Sequence, residues 1–142
     1  MFVAALQARA LAVPGDLDRT FGGFGPAGTF TNVGFTVTDV AVDLRGRVVL
    51  AGIAANTFHV QQRSGPRFAT VKDATIVVEG AQQGARVAAM AIGPAGEIVL
   101  VGPVTHSNGN VDFAVVRLNG DDLSLDTGFS GDGAVWSDFD GD

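Results

Sequence analysis

The residues best suited to chemistry lie at the acidic end of the sequence. After Arg117 the chain contains seven Asp residues and neither Lys nor Arg. Its last segment, DFDGD at 138–142, places Asp138, Asp140 and Asp142 at alternate positions around a glycine. Oxygen ligands spaced in this way are typical of the start of a calcium-binding loop, although the later ligands do not follow here. The structural alternative is that Asp and Gly form turns and keep an apolar chain in solution.

The other reactive residue types form no recognisable catalytic arrangement. His59 and His106 are far apart, lie near predicted loops and are expected at the surface. Glycines 23, 25 and 28 match the GxGxxG spacing of a dinucleotide-binding loop. Such a loop needs a preceding strand and a following helix, whereas strand-like residues follow here. No serine lies in a nucleophile elbow. We therefore predict no catalytic residues, no enzyme activity and no organic cofactor.

Composition narrows the fold class and the partners. Hydrophobic residues make up 46% of the 142 residues and charged residues 17%, with 20 glycines and no cysteine. Short apolar segments between glycines are typical of strands joined by turns. The net charge is −6, and residues 72–142 carry three basic and eleven acidic groups. The absence of a basic stripe argues against nucleic acid as a partner. No apolar run reaches the roughly 20 residues of a membrane-spanning helix.

The N-terminal segment resembles the end of a secretory signal. MFVAALQARALAVPGDLD contains an apolar stretch, an Ala-x-Ala pattern at Ala10–Ala12, and then Pro14 and Gly15. This pattern is typical of a signal peptidase site, but the stretch is short and lacks a basic start. We interpret 1–13 as a signal-peptide remnant or an N-terminal extension. A short helix packing on the fold is the alternative.

The sequence repeats itself. VTDVAVDLRGRVVLAG at 37–52 and VAAMAIGPAGEIVLVG at 87–102 match at an offset of 50 residues, and RFATVK at 67–72 matches DFAVVR at 112–117. Alternating and continuous apolar runs separated by glycine turns predict about four strands per repeat. The predicted strands are 28–35, 37–43, 47–55, 67–72, 75–80, 86–92, 97–104, 112–118 and 133–139, and the irregular loop that contains His59 lies between the third and the fourth of them.

A second recurring motif, Leu-Asp-x-x-Phe followed by glycine, occurs 108 residues apart. Its first copy contains Leu17, Asp18 and Phe21, and its second contains Leu125, Asp126 and Phe129. One helical turn would place Leu and Phe together against the core, and the Asp would accept hydrogen bonds from the turn. We interpret the motif as a structural corner between repeats. It is missing between the two complete repeats, where the chain reads KDAT.

Three segments together resemble the delta-60 repeat family: PGDLDRTFGGFG, VDLRGRVVLAG and DFAVVRLNGDDLSLDTGFSGDG. The resemblance covers most of 14–139 and is most specific at 112–133. It implies a β-propeller in a secreted or cell-surface bacterial protein, and the molecular function of this family is not established. The sequence departs from the family pattern at KDAT, throughout 53–66 and at Ser130.

These observations predict an all-β chain of tandem four-stranded antiparallel propeller blades. Repeat one spans about 17–72, repeat two about 73–124, and a third begins at 125–142. The predicted function is a non-catalytic structural or interaction module. A metal-dependent propeller enzyme and a calcium-stabilised adhesion module are the alternatives. Two blades leave apolar faces uncovered, so the expected partners are further repeats of a longer chain or self-association that completes the ring.

Overall fold

A computed structural model describes residues 17, 21, 33–78, 81 and 83–137, and within them every regular element is a β-strand. The strands are β1 (Thr36–Val42), β2 (Val48–Ala54), β3 (Thr57–Ser64), β4 (Ala69–Ile76), β5 (Gly84–Ala85), β6 (Ala89–Ile92), β7 (Ile98–Thr105), β8 (Val111–Leu118) and β9 (Ala134–Ser137). The predicted all-β fold class is confirmed.

The strands form two antiparallel sheets. The first sheet has the order β1-β2-β3-β4. In the second sheet, β7, β8 and β9 are consecutive neighbours, and β5 and β6 both pair with the free edge of β7. The chain between them, at 86–88, passes alongside β7 without strand geometry. The segments β5 and β6 together therefore occupy the place that β1 fills in the first sheet.

The 50-residue repeat is visible in the strand pairing. Ala41 lies opposite Val49 in the first sheet, and Ala91 lies opposite Val99 in the second. Glycine recurs at 52 and 102 because a Cβ there would overlap the carbonyl oxygen of Thr36 or Arg86, respectively. The edge strand thus approaches its neighbour closely at the same point of both sheets.

The structure adds a strand that the sequence pattern did not reveal. Residues 56–66, predicted to form an irregular loop, contain part of the β2–β3 turn and all of β3. Ala55 and Asn56 form the tight turn with φ values of 47° and 61°, the left-handed geometry of a two-residue hairpin. The usual glycine is absent from this turn, so the hairpin left no turn signal in the sequence.

This extra strand changes how the two repeats correspond. Leu50 pairs with Gln61, and its equivalent Leu100 pairs with Val116. Residues 57–62, rather than the predicted 67–72, are therefore equivalent to 112–117.

The sheets also divide the chain differently from the predicted repeats. Strand β4 runs through the boundary predicted at 72/73. Strand β9 pairs with β8 and completes the second sheet rather than opening a third. Of the predicted strand 28–35, residues 28–32 lie outside the described part, and 33–35 are not strand.

The core lies between the two sheets. Val49, Val60 and Phe58 of the first sheet and Leu100 and Val116 of the second are fully buried. They belong to one apolar cluster that spans both sheets. We call the two surfaces that meet in this core the inner faces. The other two surfaces are the outer face of the first sheet and the open face of the second sheet.

Candidate functional site: corner, seam and sheet faces

The second Leu-Asp-x-x-Phe corner is organised by Asp126. Its carboxylate accepts hydrogen bonds from the Gly128 N–H at 2.9 Å and from Arg117 Nε at 2.7 Å. The Arg117 guanidinium carbon in turn lies 5.0 Å from the centre of the Phe129 ring. Asp126 is therefore engaged by a turn and by an arginine, which is the environment of a structural residue.

The apolar residues of this corner do not both face the core as predicted. Leu125 is 39% exposed, and its backbone forms an isolated bridge with Leu118, the last residue of β8. Phe129 is half-buried against Arg117. The turn is closed by backbone hydrogen bonds from the Phe129 N–H to the Asp126 carbonyl and from the Gly133 N–H to the Phe129 carbonyl, and it leaves Leu125 partly in solvent.

Only part of the first corner is described. Leu17 is 60% exposed, whereas the Phe21 ring packs against Phe68 with the ring centres 5.1 Å apart. Asp18 lies outside the described residues. Phe21 thus contacts the loop between β3 and β4 of the first sheet.

The candidate calcium ligands and the glycine loop fall outside the described part. This applies to Asp138, Asp140 and Asp142 and to the glycines at 23, 25 and 28. Among the residues that the structure does describe, no group of three His, Asp or Glu side chains is placed to hold a metal ion. The metal prediction stays a prediction.

Both histidines are more buried than predicted, and each faces its own aspartate. His59 is 8% exposed on β3, with Nε2 3.1 Å from an oxygen of Asp73. His106 Nε2 lies 2.8 Å from Asp112, which is 5% exposed. That approach is poorly aligned for a hydrogen bond, and the other Asp112 oxygen has no hydrogen-bond partner. The surface prediction for His59 is wrong because residue 59 is on a covered strand rather than in a loop.

A polar seam joins the sheets at one end. The backbone carbonyl of Gly120, in the loop after β8, accepts hydrogen bonds from Arg47 Nη2 at 2.8 Å and from Gln62 Nε2 at 2.6 Å. Arg47 also donates to Asp43 at 2.6 Å. These first-sheet side chains therefore hold a loop of the second sheet. The sequence did not predict this seam, because Gln62 was expected in a loop and lies on β3.

Asp43 is the most constrained carboxylate of the seam. It accepts hydrogen bonds from the backbone N–H groups of Arg45 and Arg47, each at 2.9 Å. Burial acts to raise the pKa of Asp43, but these N–H donors and the Arg47 guanidinium outweigh it and hold the pKa below 3.8. A cleft of about 410 Å³ adjoins the seam, and Arg45 and Asp121 on its rim are paired at 2.6 Å.

The open face of the second sheet is apolar across its full width. Ala89, Val101, Val115 and Val135 lie side by side on β6, β7, β8 and β9. Val135 is 42% exposed, and Val101 and Val115 are half-buried. Phe113, on the same face, is 39% exposed. An apolar stripe of this extent is typical of a surface that packs against another element.

The equivalent positions in the first sheet show how this row is packed when another sheet covers it. They are Asp39, Ala51, Val60 and Ala74, also in one row across four strands. Ala51 and Val60 are fully buried by the second sheet. The two central positions of the row are thus fully buried in the first sheet and only half-buried in the second.

Comparison with known proteins finds a similarity to one family over part of the chain. Residues 94–129, from the β6–β7 turn to the corner, match a family described as a beta-propeller domain of unknown function, DUF5122. No curated protein and no solved structure matches the sequence. The stacked four-stranded sheets are consistent with blades of a β-propeller. In the described part of the chain, no helix has the length and apolar character needed to cross a membrane.

Proposed function

We propose that this chain is a non-catalytic structural module of a secreted or cell-surface bacterial repeat protein of the delta-60 type, and that it acts by packing sheets face to face. The observation that carries the proposal is the apolar row on the open face of the second sheet. Its occupant is a further four-stranded sheet of the same kind, because the equivalent row of the first sheet is covered by such a sheet.

The size of the residues on this face supports the proposal. Covering a Val or Phe side chain that is otherwise exposed stabilises a protein by about 1.5–3 kcal/mol. Phe113 and Val135 are well exposed, and Val101 and Val115 are half-buried between them. A sheet that covered all four would gain several such contributions before the cost of ordering it.

The proposal is tested with substitutions on this face. Val135→Lys and Phe113→Ser are expected to reduce the binding of a fluorescent hydrophobic dye and the light scattering of concentrated samples. Both side chains are substantially exposed, so these variants are expected to fold, and circular dichroism checks this. Val77→Lys is the matched control, because Val77 is 75% exposed but lies beyond the end of β4.

Two results would overturn the proposal. The first is that the unmodified chain shows neither dye binding nor association at any concentration. The second is that Val77→Lys changes both signals as strongly as Val135→Lys does. Either result would mean that the open face is not the surface through which the module packs.

A further inference from the structure

A histidine and an aspartate meet at one end of the second sheet. His106 directly follows β7, and Asp112 is the second residue of β8. The hairpin turn between them is closed by hydrogen bonds from the His106 N–H to the Asn110 carbonyl at 2.9 Å and from the Gly109 N–H to the His106 carbonyl at 3.0 Å. It brings Nε2 of His106 to 2.8 Å from Oδ2 of Asp112. The turn therefore fixes how far apart these two side chains are.

The two side chains lie close together but do not satisfy each other. The Asp112 side chain is 5% exposed. Its Oδ1 atom and Nε2 of His106 are both buried without a hydrogen-bond partner, because the approach of Nε2 to Oδ2 is poorly aligned. A buried carboxylate oxygen without a partner is unusual, since it has lost its hydration without gaining another interaction. A cation bound by both side chains would supply the missing interaction.

The geometry of the pair fits two adjacent ligands of one metal ion. Imidazole and carboxylate ligands bind zinc at about 2.0–2.2 Å, so their separation of 2.8 Å corresponds to an angle of about 80–90° at a shared ion. Adjacent ligands in octahedral coordination subtend this angle. Calcium binds oxygen ligands, whereas an imidazole nitrogen suits Zn²⁺, Ni²⁺, Cu²⁺ or Fe²⁺. The histidine therefore favours a divalent transition metal ion over calcium.

The strand register points to a further carboxylate ligand. Among the described residues, no third His, Asp or Glu joins the pair. Phe113 lies opposite Ser137 in the β8–β9 pairing, and the same register continued by one residue sets position 138 opposite Asp112. Directly opposed residues of neighbouring strands share a face, with Cβ atoms about 4.5–5.5 Å apart. Asp138 lies outside the described residues, but this register makes it the candidate ligand that fits the pair.

We infer that His106 and Asp112 form part of a binding site for a divalent transition metal ion, with Asp138 as a further ligand and water in the remaining positions. The ion ties the β7–β8 hairpin to the chain that follows β9. Neighbouring residues of a strand point to opposite faces, so Asp112 lies on the other side of the sheet from Phe113 and the open face. The site is therefore independent of the proposed function.

Trp136 provides a direct readout of binding at this site. It is the single tryptophan of a chain without tyrosine, and its ring centre lies 5.5 Å from that of His106. Ni²⁺ quenches the fluorescence of an indole close to it, whereas Zn²⁺ and Ca²⁺ do not. Titration of the full chain, purified without a polyhistidine tag, with Ni²⁺ is expected to quench Trp136 emission to saturation at one ion per chain. Zn²⁺ is expected to restore the emission by competition, and Ca²⁺ is expected to have no effect.

Substitutions assign the ligands. His106→Ala and the isosteric Asp112→Asn are each expected to weaken Ni²⁺ binding by about 100-fold, and Asp138→Asn by about tenfold. His59→Gln is the matched control, because it removes the other histidine, which also faces an aspartate, Asp73 at 3.1 Å. This control is expected to bind Ni²⁺ as the unmodified chain does. Circular dichroism checks that each variant folds.

Three results would overturn all or part of the inference. If Ni²⁺ causes no saturable quenching, or Zn²⁺ does not reverse it, His106 and Asp112 contact only each other and the site does not exist. If folded His106→Ala and Asp112→Asn are quenched as strongly as the unmodified chain, the ion binds elsewhere. If only Asp138→Asn is without effect, the pair binds the ion and the assignment of Asp138 is wrong. Each of these results leaves the proposed function standing, because none involves the open face.

Discussion

At the scale of single residues, the clearest structural role belongs to Asp126. It holds both the turn through Gly128 and the Arg117 guanidinium that lies over Phe129. Its place in the recurring Leu-Asp-x-x-Phe motif made it predictable as a turn residue. The role of its partner Arg117 could not be predicted. The pairing of Arg117 with Asp126 depends on the β8 backbone passing beside the turn, which the sequence does not show.

Asp126→Ala is expected to lower the free energy of unfolding by about 1–3 kcal/mol, because a turn hydrogen bond and the partner of a half-buried arginine are lost together. Urea unfolding measures the change. Asp121→Ala is the control, since the ion pair of Asp121 with Arg45 is 60–70% exposed and is worth about 0.2–1 kcal/mol. Equal losses in the two variants would contradict the structural role of Asp126.

Asp43 links stability to pH. Its pKa in the folded protein is held below the ordinary value of 3.8, so the ionised form favours folding. This contribution is fully present above the pKa of the unfolded chain and disappears as the pH falls through the folded pKa. Asp43→Asn is therefore expected to flatten the loss of stability on acidification below about pH 5.

Urea unfolding between pH 5 and about pH 2 tests this dependence. Arg47→Gln removes the guanidinium partner but keeps the backbone donors, so its acid sensitivity should lie between those of the unmodified protein and Asp43→Asn. An Asp43→Asn variant that loses stability on acidification as steeply as the unmodified protein would show that Asp43 is not the group responsible.

At the scale of strands and sheets, the sequence predicted β1, β2, β6, β7 and β8 closely because their apolar pattern and glycine turns are strong. It missed β3, whose turn uses Ala55 and Asn56 and whose outer-face residues are polar although buried. The match of 67–72 to 112–117 was a sequence similarity without structural equivalence. Cross-strand pairing, which the sequence does not contain, assigns that position to 57–62.

The lack of cross-strand pairing information in the sequence also limited what could be predicted of the sheet faces. The continuous apolar runs already indicated a second apolar side on each sheet, and the open face of the second sheet has one. The buried polar residues of β3 could not be predicted, because Gln61 and Arg63 are recognised as the equivalents of Val116 and Leu118 only once their strand is known.

Gly52→Ala and Gly102→Ala are each expected to destabilise the protein by about 2–4 kcal/mol. The added Cβ would overlap a backbone carbonyl oxygen, which, unlike a side chain, cannot rotate out of the way. Thermal and urea unfolding measure the loss. Gly46→Asn is the control: its φ of 74° suits Asn, and open space surrounds it. A loss of about 1 kcal/mol or less is expected there. If Gly52→Ala is as mild as Gly46→Asn, the edge strand is free to move away.

At the scale of the whole molecule, the apolar open face of the second sheet is the surface through which isolated chains are expected to associate. The chain carries a net charge of −6, and like charges oppose this pairing.

Added salt screens that repulsion, so the dimer fraction is expected to rise with ionic strength. Sedimentation velocity at low and high salt measures this, with Val135→Lys as the variant that should remain monomeric in both. A dimer that salt dissociates, or association that Val135→Lys leaves unchanged, would contradict association through the open face.

The seam at Gly120 has a consequence for how the protein is made. Arg47 and Gln62 reach an acceptor 73 and 58 residues further along the chain, and among the described residues the inner face of the first sheet packs against strands that follow it. A ribosome that adds roughly 5–20 residues per second needs several seconds to deliver residues 77–137 after β4 has emerged. During that time Phe58 and Val60 have no core to enter, although both are fully buried in the finished molecule. We therefore expect the newly made first sheet to expose apolar residues during that time, and slowing translation after β4 to lengthen the period in which it can aggregate.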